Sequence, residues 1–369
     1  MKKVLIVATI DQHIRHFHIP FIEELTKNGF IVDIASNGTE KFENVSNKYD
    51  ISFTRNPLSF NNINSFKQLK EIVYKNNYDL IHCHTPVGGV ITRLVKMWLK
   101  KNDSKIIYTA HGFHFYKGSS YKNWLLFYNI ERILSKWTDV LITINHEDYK
   151  IAAKKFYANR TVLIDGVGVD LTRFNPVSNE RKKAIRNKNG LHESDIILTY
   201  VAELSDRKNQ EVLIQAMNII SKSNSNVKLL LVGMGDNEQY YRDLIKKLGL
   251  ENEVRLLGYR TDINELMGCS DIAVSSSRQE GLPVNIIEAI SIGLPVVASS
   301  CRGNRDLIID GYNGYLVSDN DPVEYSEKTI YLINNKEARK KLSNNNLKTK
   351  QKYDVKIINR KLLDIYSQM

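Results

Sequence analysis

Three groups of residues in this sequence have types and spacings suited to chemistry. The first lies in Ser275-Ser-Ser-Arg-Gln-Glu280-Gly-Leu-Pro-Val-Asn-Ile-Ile-Glu288, where seven residues separate two glutamates. Gly281, Leu282 and Pro283 lead into a helix whose first backbone N–H groups can hold an anionic or hydroxyl-rich group. Glu288, in the second turn of that helix, can accept hydrogen bonds from vicinal hydroxyls such as a ribose diol. The second group is histidine. Eight of the nine histidines fall in the first half, and His13, His16, His18, His82, His84, His111 and His114 stand at or just past expected strand ends. Strand ends of one sheet lie side by side, so these rings are expected to line one cleft. His82 and His84 have the chemistry of metal ligands, but no Asp, Glu or Cys accompanies them at a zinc spacing, and no metal site is expected. The third group is Gly233-Met-Gly235 after an apolar run, where two glycines allow close backbone approach by a ligand. It lacks the third glycine of the dinucleotide fingerprint, and the sequence has no P-loop, which disfavours a dehydrogenase. Asp319-Asn-Asp321 has the spelling of a metal-binding D-x-D, but Asp321 as an N-cap with Pro322 at the first helical position explains it without metal.

The elements that must position these residues are short β-branched runs alternating with longer amphipathic stretches. Residues 4–8, 31–35, 80–83, 106–109, 140–144 and 162–164 read as strands, and 19–28, 66–76, 89–100 and 121–136 as helices. A turn-rich break at 165–176 precedes a second series of strands at 196–201, 228–232, 254–257, 272–275, 296–298 and 314–317. Such alternation implies an α/β chain with two parallel sheets, each covered on both faces. The expected domains are 1–170 and 171–353, with a final helix at 354–367 able to pack back across the junction.

A length of 369 residues agrees with about two domains, and 42% apolar residues are enough for two cores. No apolar run approaches the roughly 18 residues that span a bilayer. Cys83, Cys269 and Cys301 are an odd number at unrelated spacings, which points to a reducing cytoplasm. The net charge of +11 is concentrated in the first half, where residues 1–175 carry 24 Lys and Arg against 16 Asp and Glu. That suits an anionic partner such as a phosphorylated lipid or an acidic membrane face. Residues 121–137 carry Trp124, Leu125, Phe127 and Trp137 beside Lys122, Arg132 and Lys136, a pattern that fits a core helix or contact with anionic lipid. No helix-turn-helix, zinc or RNP motif supports a nucleic-acid partner.

The chain resembles the retaining GT-B glycosyltransferases of family 4, especially those of bacterial capsule and exopolysaccharide synthesis. The resemblance spans almost the whole chain and is most specific at the E-x7-E element of Glu280 and Glu288. Tyr108-Thr-Ala-His111-Gly-Phe-His114, Val201-Ala-Glu-Leu-Ser-Asp-Arg-Lys208, Val232-Gly-Met-Gly235 and Val169-Asp170-Leu-Thr-Arg-Phe174 resemble further segments of that family. The resemblance implies two Rossmann-like domains facing across a cleft, the first for acceptor and the second for nucleotide sugar. It gives Lys208, with Arg207, the donor diphosphate, Glu288 the ribose, and Glu280 with the amides after Gly281 the transferred sugar. His111 would touch that sugar from the opposite domain, Tyr259 and Arg260 would frame the base, and His13, His16, His84 and His114 would line the acceptor cleft. Glu203 stands where the family usually has Arg, so either it points elsewhere or Arg207 supplies the charge. The first-domain glycine-rich loop is replaced by Thr9-Ile-Asp-Gln-His13. The expected activity is transfer of a sugar, N-acetylated amino sugars among the candidates, from a UDP-sugar to a lipid-linked saccharide diphosphate, without a metal cofactor. The expected location is the cytoplasmic face of an anionic membrane, with peripheral attachment. The rival readings are a UDP-sugar epimerase or hydrolase of the same fold and a basic nucleic-acid-binding protein.

Overall fold

The computed structural model describes residues 1–369 apart from Arg55, Leu58, 100–102 and 319–320. The chain divides into two units, Met1–Gly168 with Val355–Met369, and Val169–Asp354. The first holds β1 (Lys3–Ile10), β2 (Ile31–Asn37), β3 (Asn47–Asp50), β4 (Leu80–His84), β5 (Lys105–Ala110), β6 (Val140–Thr143) and β7 (Arg160–Leu163). They form one parallel sheet in the order β3-β2-β1-β4-β5-β6-β7. The second holds β8 (Ile196–Val201), β9 (Val227–Val232), β10 (Val254–Leu256), β11 (Ile272–Ser275), β12 (Val296–Ser299) and β13 (Gly314–Val317). Their order is β10-β9-β8-β11-β12-β13, again parallel. In each sheet the order in which strands are added therefore reverses once, between β1 and β4 and between β8 and β11. Ligands of such sheets bind outside the strand carboxyl ends at that switch point.

Helices on both faces explain why the strands read as continuous apolar runs rather than alternating ones. Along β1, Leu5 and Val7 join a core beneath helices Asn61–Asn76 and Pro86–Trp98, while Val4, Ile6 and Ala8 join the opposite core. That second core includes Ile358, Ile365 and Tyr366 of helix Val355–Ser367, so the C-terminal helix covers one face of the first sheet. No helix among the described residues is long and apolar enough to cross a membrane.

Three local features depart from the sequence reading. β3, Asn-Lys-Tyr-Asp, has no apolar pattern; it is an edge strand placed by pairing with β2. The loop expected after β1 is a helix, Asp11–Phe17, anchored by buried Asp11. The Asp11 carboxylate accepts from Ser36 Oγ (2.5 Å) and the Glu40 amide (2.9 Å) and pairs with Lys48 Nζ at 3.0 Å. The single helix expected over 121–136 is broken into α-helix Tyr121–Asn123, π-helix Trp124–Tyr128 and α-helix Asn129–Leu134, followed by a 3₁₀ turn. Trp124 and Tyr128 pack against Phe115, while Tyr121, Leu125, Leu126 and Ile133 remain exposed. Asp321 caps helix Pro322–Asn334 through the Val323 amide (2.9 Å), as its place before Pro322 leads one to expect, whereas Asp319 lies outside the described residues.

Candidate functional site

In the second unit, the loops after β8 and β11 meet at the switch point. The chain leaving β8 turns through Asn209, a non-glycine residue in the left-handed region (φ 53°), before helix Gln210–Ile220 begins. This turn carries Arg207 and Lys208 toward the loop after β11. There Lys208 Nζ donates to Glu280 Oε1, which also accepts from Ser277 Oγ (2.6 Å). Arg207 lies 3.7 Å from the other Glu280 oxygen and 3.8 Å from the Glu203 carboxylate. Glu203 is exposed, so its carboxylate points outward and Arg207 sits between the two acids. Glu280 is only 7% exposed, and a carboxylate so buried needs these cations.

The loop is braced from behind. Tyr200 OH meets Ser277 Oγ at 2.7 Å, Ser276 Oγ donates to the Lys208 carbonyl (3.0 Å), and Ser299 Oγ donates to the Ser277 carbonyl (2.5 Å). Buried Arg302 donates from Nε to the Glu280 carbonyl at 3.2 Å. Sequence reasoning missed Arg302, because nothing local marks it as a partner of a residue 22 positions earlier.

Pro283 is the N-cap of helix Val284–Ile292, and Leu282 is buried beside it. Asn285 Nδ2 donates to the Val201 carbonyl (2.9 Å), which fastens the start of this helix to the end of β8. A Cβ on Gly303 would lie 2.4 Å from the Gly281 carbonyl, so helix Arg302–Leu307 packs directly on the Gly281 backbone. Glu288 sits one turn further along and is half-buried. Burial pushes its pKa up to about 8, and the Arg173 guanidinium works against that rise. Arg173 Nη2 also donates to the Thr261 carbonyl (2.8 Å). Arg173 was read only as part of a resembling segment, and only the fold brings it near Glu288.

Gly233 and Gly235 need their small size for a reason other than the one read from sequence. A Cβ at Gly233 would come within 2.0 Å of the Ala202 carbonyl oxygen, and one at Gly235 within 2.2 Å of that of Leu204. The close approach is thus between two protein backbones, and it shapes the loop after β8. The Gly233 amide also donates to the Gly258 carbonyl (2.9 Å), joining this turn to the one carrying Tyr259 and Arg260. Tyr259 is exposed, while the Arg260 guanidinium is committed to Asp262 (2.6 and 2.8 Å) and Asn189 (3.2 Å).

In the first unit, five histidines gather at the carboxyl edge of the sheet. His18 and His84 have ring centroids 3.9 Å apart, His82 and His84 4.0 Å, and His13 and His111 4.9 Å. His84 Nδ1 and His111 Nε2 are 3.2 Å apart. Burial holds four of these rings toward the neutral form: His111 falls to about 4, His82 to about 3, and His18 and His84 lie well below the usual imidazole range. His82 uses both nitrogens, on Tyr366 OH and Thr109 Oγ1 (2.7 Å each), and so takes a structural role.

One nitrogen from each of His13, His18, His84 and His111 lies within 4.8 Å of the others, the one group among the described residues able to hold a metal ion. Such imidazole donors suit zinc-like ions rather than magnesium. His16 and His114 lie outside this four-histidine group. His16 is exposed on helix Asp11–Phe17 and its Nδ1 bonds to the Gln12 carbonyl (2.6 Å), outside the cluster. His114 is exposed and packs on Phe127, 4.9 Å between ring centroids. Thr85, after β4, holds a strained φ of 64° and meets Thr9 Oγ1 at 2.6 Å. No local pattern marked that pair.

Comparison with known proteins adds to this geometry. Residues 181–349 match the family "Glycosyl transferases group 1", and residues 3–145 match "Glycosyl transferase 4-like". A Bacillus subtilis protein named "Putative glycosyltransferase EpsD" is 39% identical over 368 residues, covering 99% of this chain and 96% of that protein. An Escherichia coli enzyme named UDP-Gal:alpha-D-GlcNAc-diphosphoundecaprenol alpha-1,3-galactosyltransferase is 28% identical, over 79% of this chain and 77% of its own. A Campylobacter jejuni enzyme named N,N'-diacetylbacillosaminyl-diphospho-undecaprenol alpha-1,3-N-acetylgalactosaminyltransferase is 25% identical, over 96% of both chains. Among solved structures, Anabaena HepE in complex with UDP and glucose superposes with a TM-score of 0.82 at 20% identity over the full length of both, a likeness of fold.

Proposed function

The chain belongs to the group 1 glycosyl transferases, and from that premise we propose that it moves a sugar from a UDP-sugar to a lipid-linked saccharide diphosphate, with retention, in capsule or exopolysaccharide synthesis. The observation that carries this reading is the joining of Lys208, Arg207 and Glu280 at the start of the helix that bears Glu288. In transfer, the bond from the anomeric carbon to the phosphate oxygen breaks, and a bond to an acceptor hydroxyl oxygen forms as that hydroxyl passes its proton to the departing phosphate. Negative charge grows on the departing UDP. Lys208 and Arg207 stand ready to neutralise it, with the first amides of helix Val284–Ile292 beside them. Glu280 then takes hydroxyls of the transferred sugar, Glu288 takes the ribose, and His111, kept neutral, serves as a hydrogen-bonding contact to the sugar. The Escherichia coli and Campylobacter relatives, whose names specify diphosphoundecaprenol-linked acceptors, support a lipid-linked acceptor; the latter's name also keeps an N-acetylated amino sugar among the candidate donors.

A panel of UDP-sugars offered with a lipid-diphosphate saccharide tests the reading by mass spectrometry. One sugar should add to the lipid as UDP is released. Donor consumption that yields only free or epimerised sugar would favour the hydrolase or epimerase reading instead.

Two further outcomes follow from the same site and a third from the exposed segment 121–136 of the first unit. Ribose hydroxyls favour the ionised form of Glu288, whose pKa of about 8 leaves it mainly protonated at neutral pH in the empty site. Binding of UDP should therefore release a proton near pH 7, and affinity should rise with pH until it levels off above 8. Calorimetry in two buffers of different ionisation enthalpy reads this, and proton uptake or no exchange counts against a ribose role. Because Lys208, Arg207 and helix amides carry the phosphate charge, transfer should continue in chelator. Turnover lost there and restored only by magnesium or manganese refutes this. The exposed Tyr121, Leu125, Leu126 and Ile133 beside Lys122 and Lys136 support peripheral attachment to a cytoplasmic membrane face. Binding to anionic liposomes should exceed binding to neutral ones and weaken with salt; equal binding to both removes the electrostatic part.

A further inference from the structure

Helices Asn61–Asn76 and Pro86–Trp98, with the segment 121–134, enclose a cavity of about 900 Å³ within the first unit. This is near the upper end of the range, about 300–1,000 Å³, that small-molecule sites occupy. Its lining includes Val87, Val90, Ile91, Leu94 and Trp98, the residues at every third or fourth position of one helix face. The cavity therefore follows that helix for about 17 Å, at 1.5 Å per residue. It is a channel whose walls are mainly apolar, with Phe66 and Phe127 among them, while Glu131, Asn62 and Ser59 add polar groups to the lining.

The two ends differ in chemistry. At the start of the helix, Thr9, His13, Gly112 and His114 line the channel at the carboxyl edge of β1 and β5, beside the imidazole cluster. At the other end Trp98 is 63% exposed, with Lys70 Nζ 5.5 Å above its ring, and exposed Phe60 and Ile63 also line the cavity. The π-helix Trp124–Tyr128 forms part of the wall, an irregularity often found at functional sites. Apolar walls with no facing atoms lose their packing contacts, so such a channel gains from an apolar occupant.

We propose that this channel takes the isoprenoid chain of a polyprenyl diphosphate, with the diphosphate at the end formed by Thr9, His13, Gly112 and His114. A linear, branched hydrocarbon with an anionic head matches an elongated apolar tube that is polar at one end. The proposal rests on the reading that the acceptor is a lipid-linked diphosphate. It adds that the enzyme grips the lipid itself rather than only its sugar.

Farnesyl diphosphate, which carries no sugar, tests this apart from any transfer reaction. Calorimetric titration into the full chain should give binding at least about tenfold tighter than that of inorganic diphosphate or of farnesol. Leu94→Phe and Val90→Phe, each adding bulk inside the channel, should weaken farnesyl diphosphate by about tenfold or more, with an unchanged urea transition of the tryptophan fluorescence, which comes from this unit alone, as the check that it is folded. Trp98→Ala opens the outer end and should alter affinity for longer prenyl diphosphates more than for farnesyl diphosphate. Farnesyl diphosphate bound no tighter than inorganic diphosphate, or as tightly by both filled variants as by the parent, overturns the proposal. So does farnesol bound equally well, which would make the channel a general lipid contact. Retained, channel-dependent binding in a chain that transfers no sugar would support the channel and count against the transferase reading. Transfer to a short-alkyl acceptor without any farnesyl diphosphate binding would do the reverse.

Discussion

Replacing Lys208 by alanine is expected to lower turnover by about 30- to 1,000-fold, which corresponds to about 2–4 kcal/mol of transition-state stabilisation. The ammonium is held beside Glu280, and Arg207 stands 3.7 Å from the same carboxylate. As the bond to the sugar breaks, the diphosphate gains charge, so the attraction to Lys208 grows toward the transition state. An interaction of that kind appears in kcat rather than in donor affinity. In the variant, Glu280 keeps Ser277 Oγ and Arg207, so its carboxylate is not stranded and the fold should persist. Turnover, UDP affinity and thermal stability measured together decide the matter. Near-normal turnover on the proper donor and acceptor would make the assignment of Lys208 wrong. Equal losses in turnover and stability would reduce its role to bracing Glu280.

The second large effect concerns the first unit. Arg93 is fully buried. Its Nη1 donates to Glu131 Oε2 (2.8 Å), its Nε to the Gly89 carbonyl (2.8 Å), and its guanidinium lies 4.0 Å over the Tyr108 ring. Tyr108 OH donates to the other Glu131 oxygen at 3.2 Å. Gly89 is needed for this packing, since a Cβ there would lie 2.4 Å from the Tyr108 ring. Arg93→Met leaves the Glu131 carboxylate buried without its cation and should cost about 3–5 kcal/mol. The double variant Arg93→Met, Glu131→Leu removes both charges and should recover most of that loss. All three tryptophans, Trp98, Trp124 and Trp137, belong to this unit, so their fluorescence in urea follows its unfolding alone. A single variant as stable as the parent would show that the pair contributes little.

Much of this arrangement is legible in the sequence. Alternating apolar runs and amphipathic stretches identify two series of strands and helices, because burial on both faces of a parallel sheet demands them. The strands Ile196–Val201, Ile272–Ser275 and Gly314–Val317 lie where their β-branched runs stand. The seven-residue spacing of Glu280 and Glu288 puts one before a helix and the other in its second turn, a matter of local geometry alone. What failed locally is also instructive. Polar β3 is a strand only through its neighbour, and the π-turn at Trp124–Tyr128 follows the packing of aromatic rings on Phe115.

Tertiary structure decided which of these residues meet. Lys208 and Glu280 are 72 residues apart and join because the crossover connections set β8 beside β11, a choice no short period encodes. Likewise β1, β4 and β5 lie side by side, so His13 and His18 meet His84 and His111, while His16, three residues from His13 on the same short helix, stays in solvent. The glycines after β9 serve backbone contact with the loop after β8, and the channel along helix Pro86–Trp98 exists only because other helices stand off from its apolar face. Residue type and short-range spacing determine what each segment can bury and what chemistry it carries. Strand order, set by burial summed over the whole domain, determines which chemistry is assembled at one point.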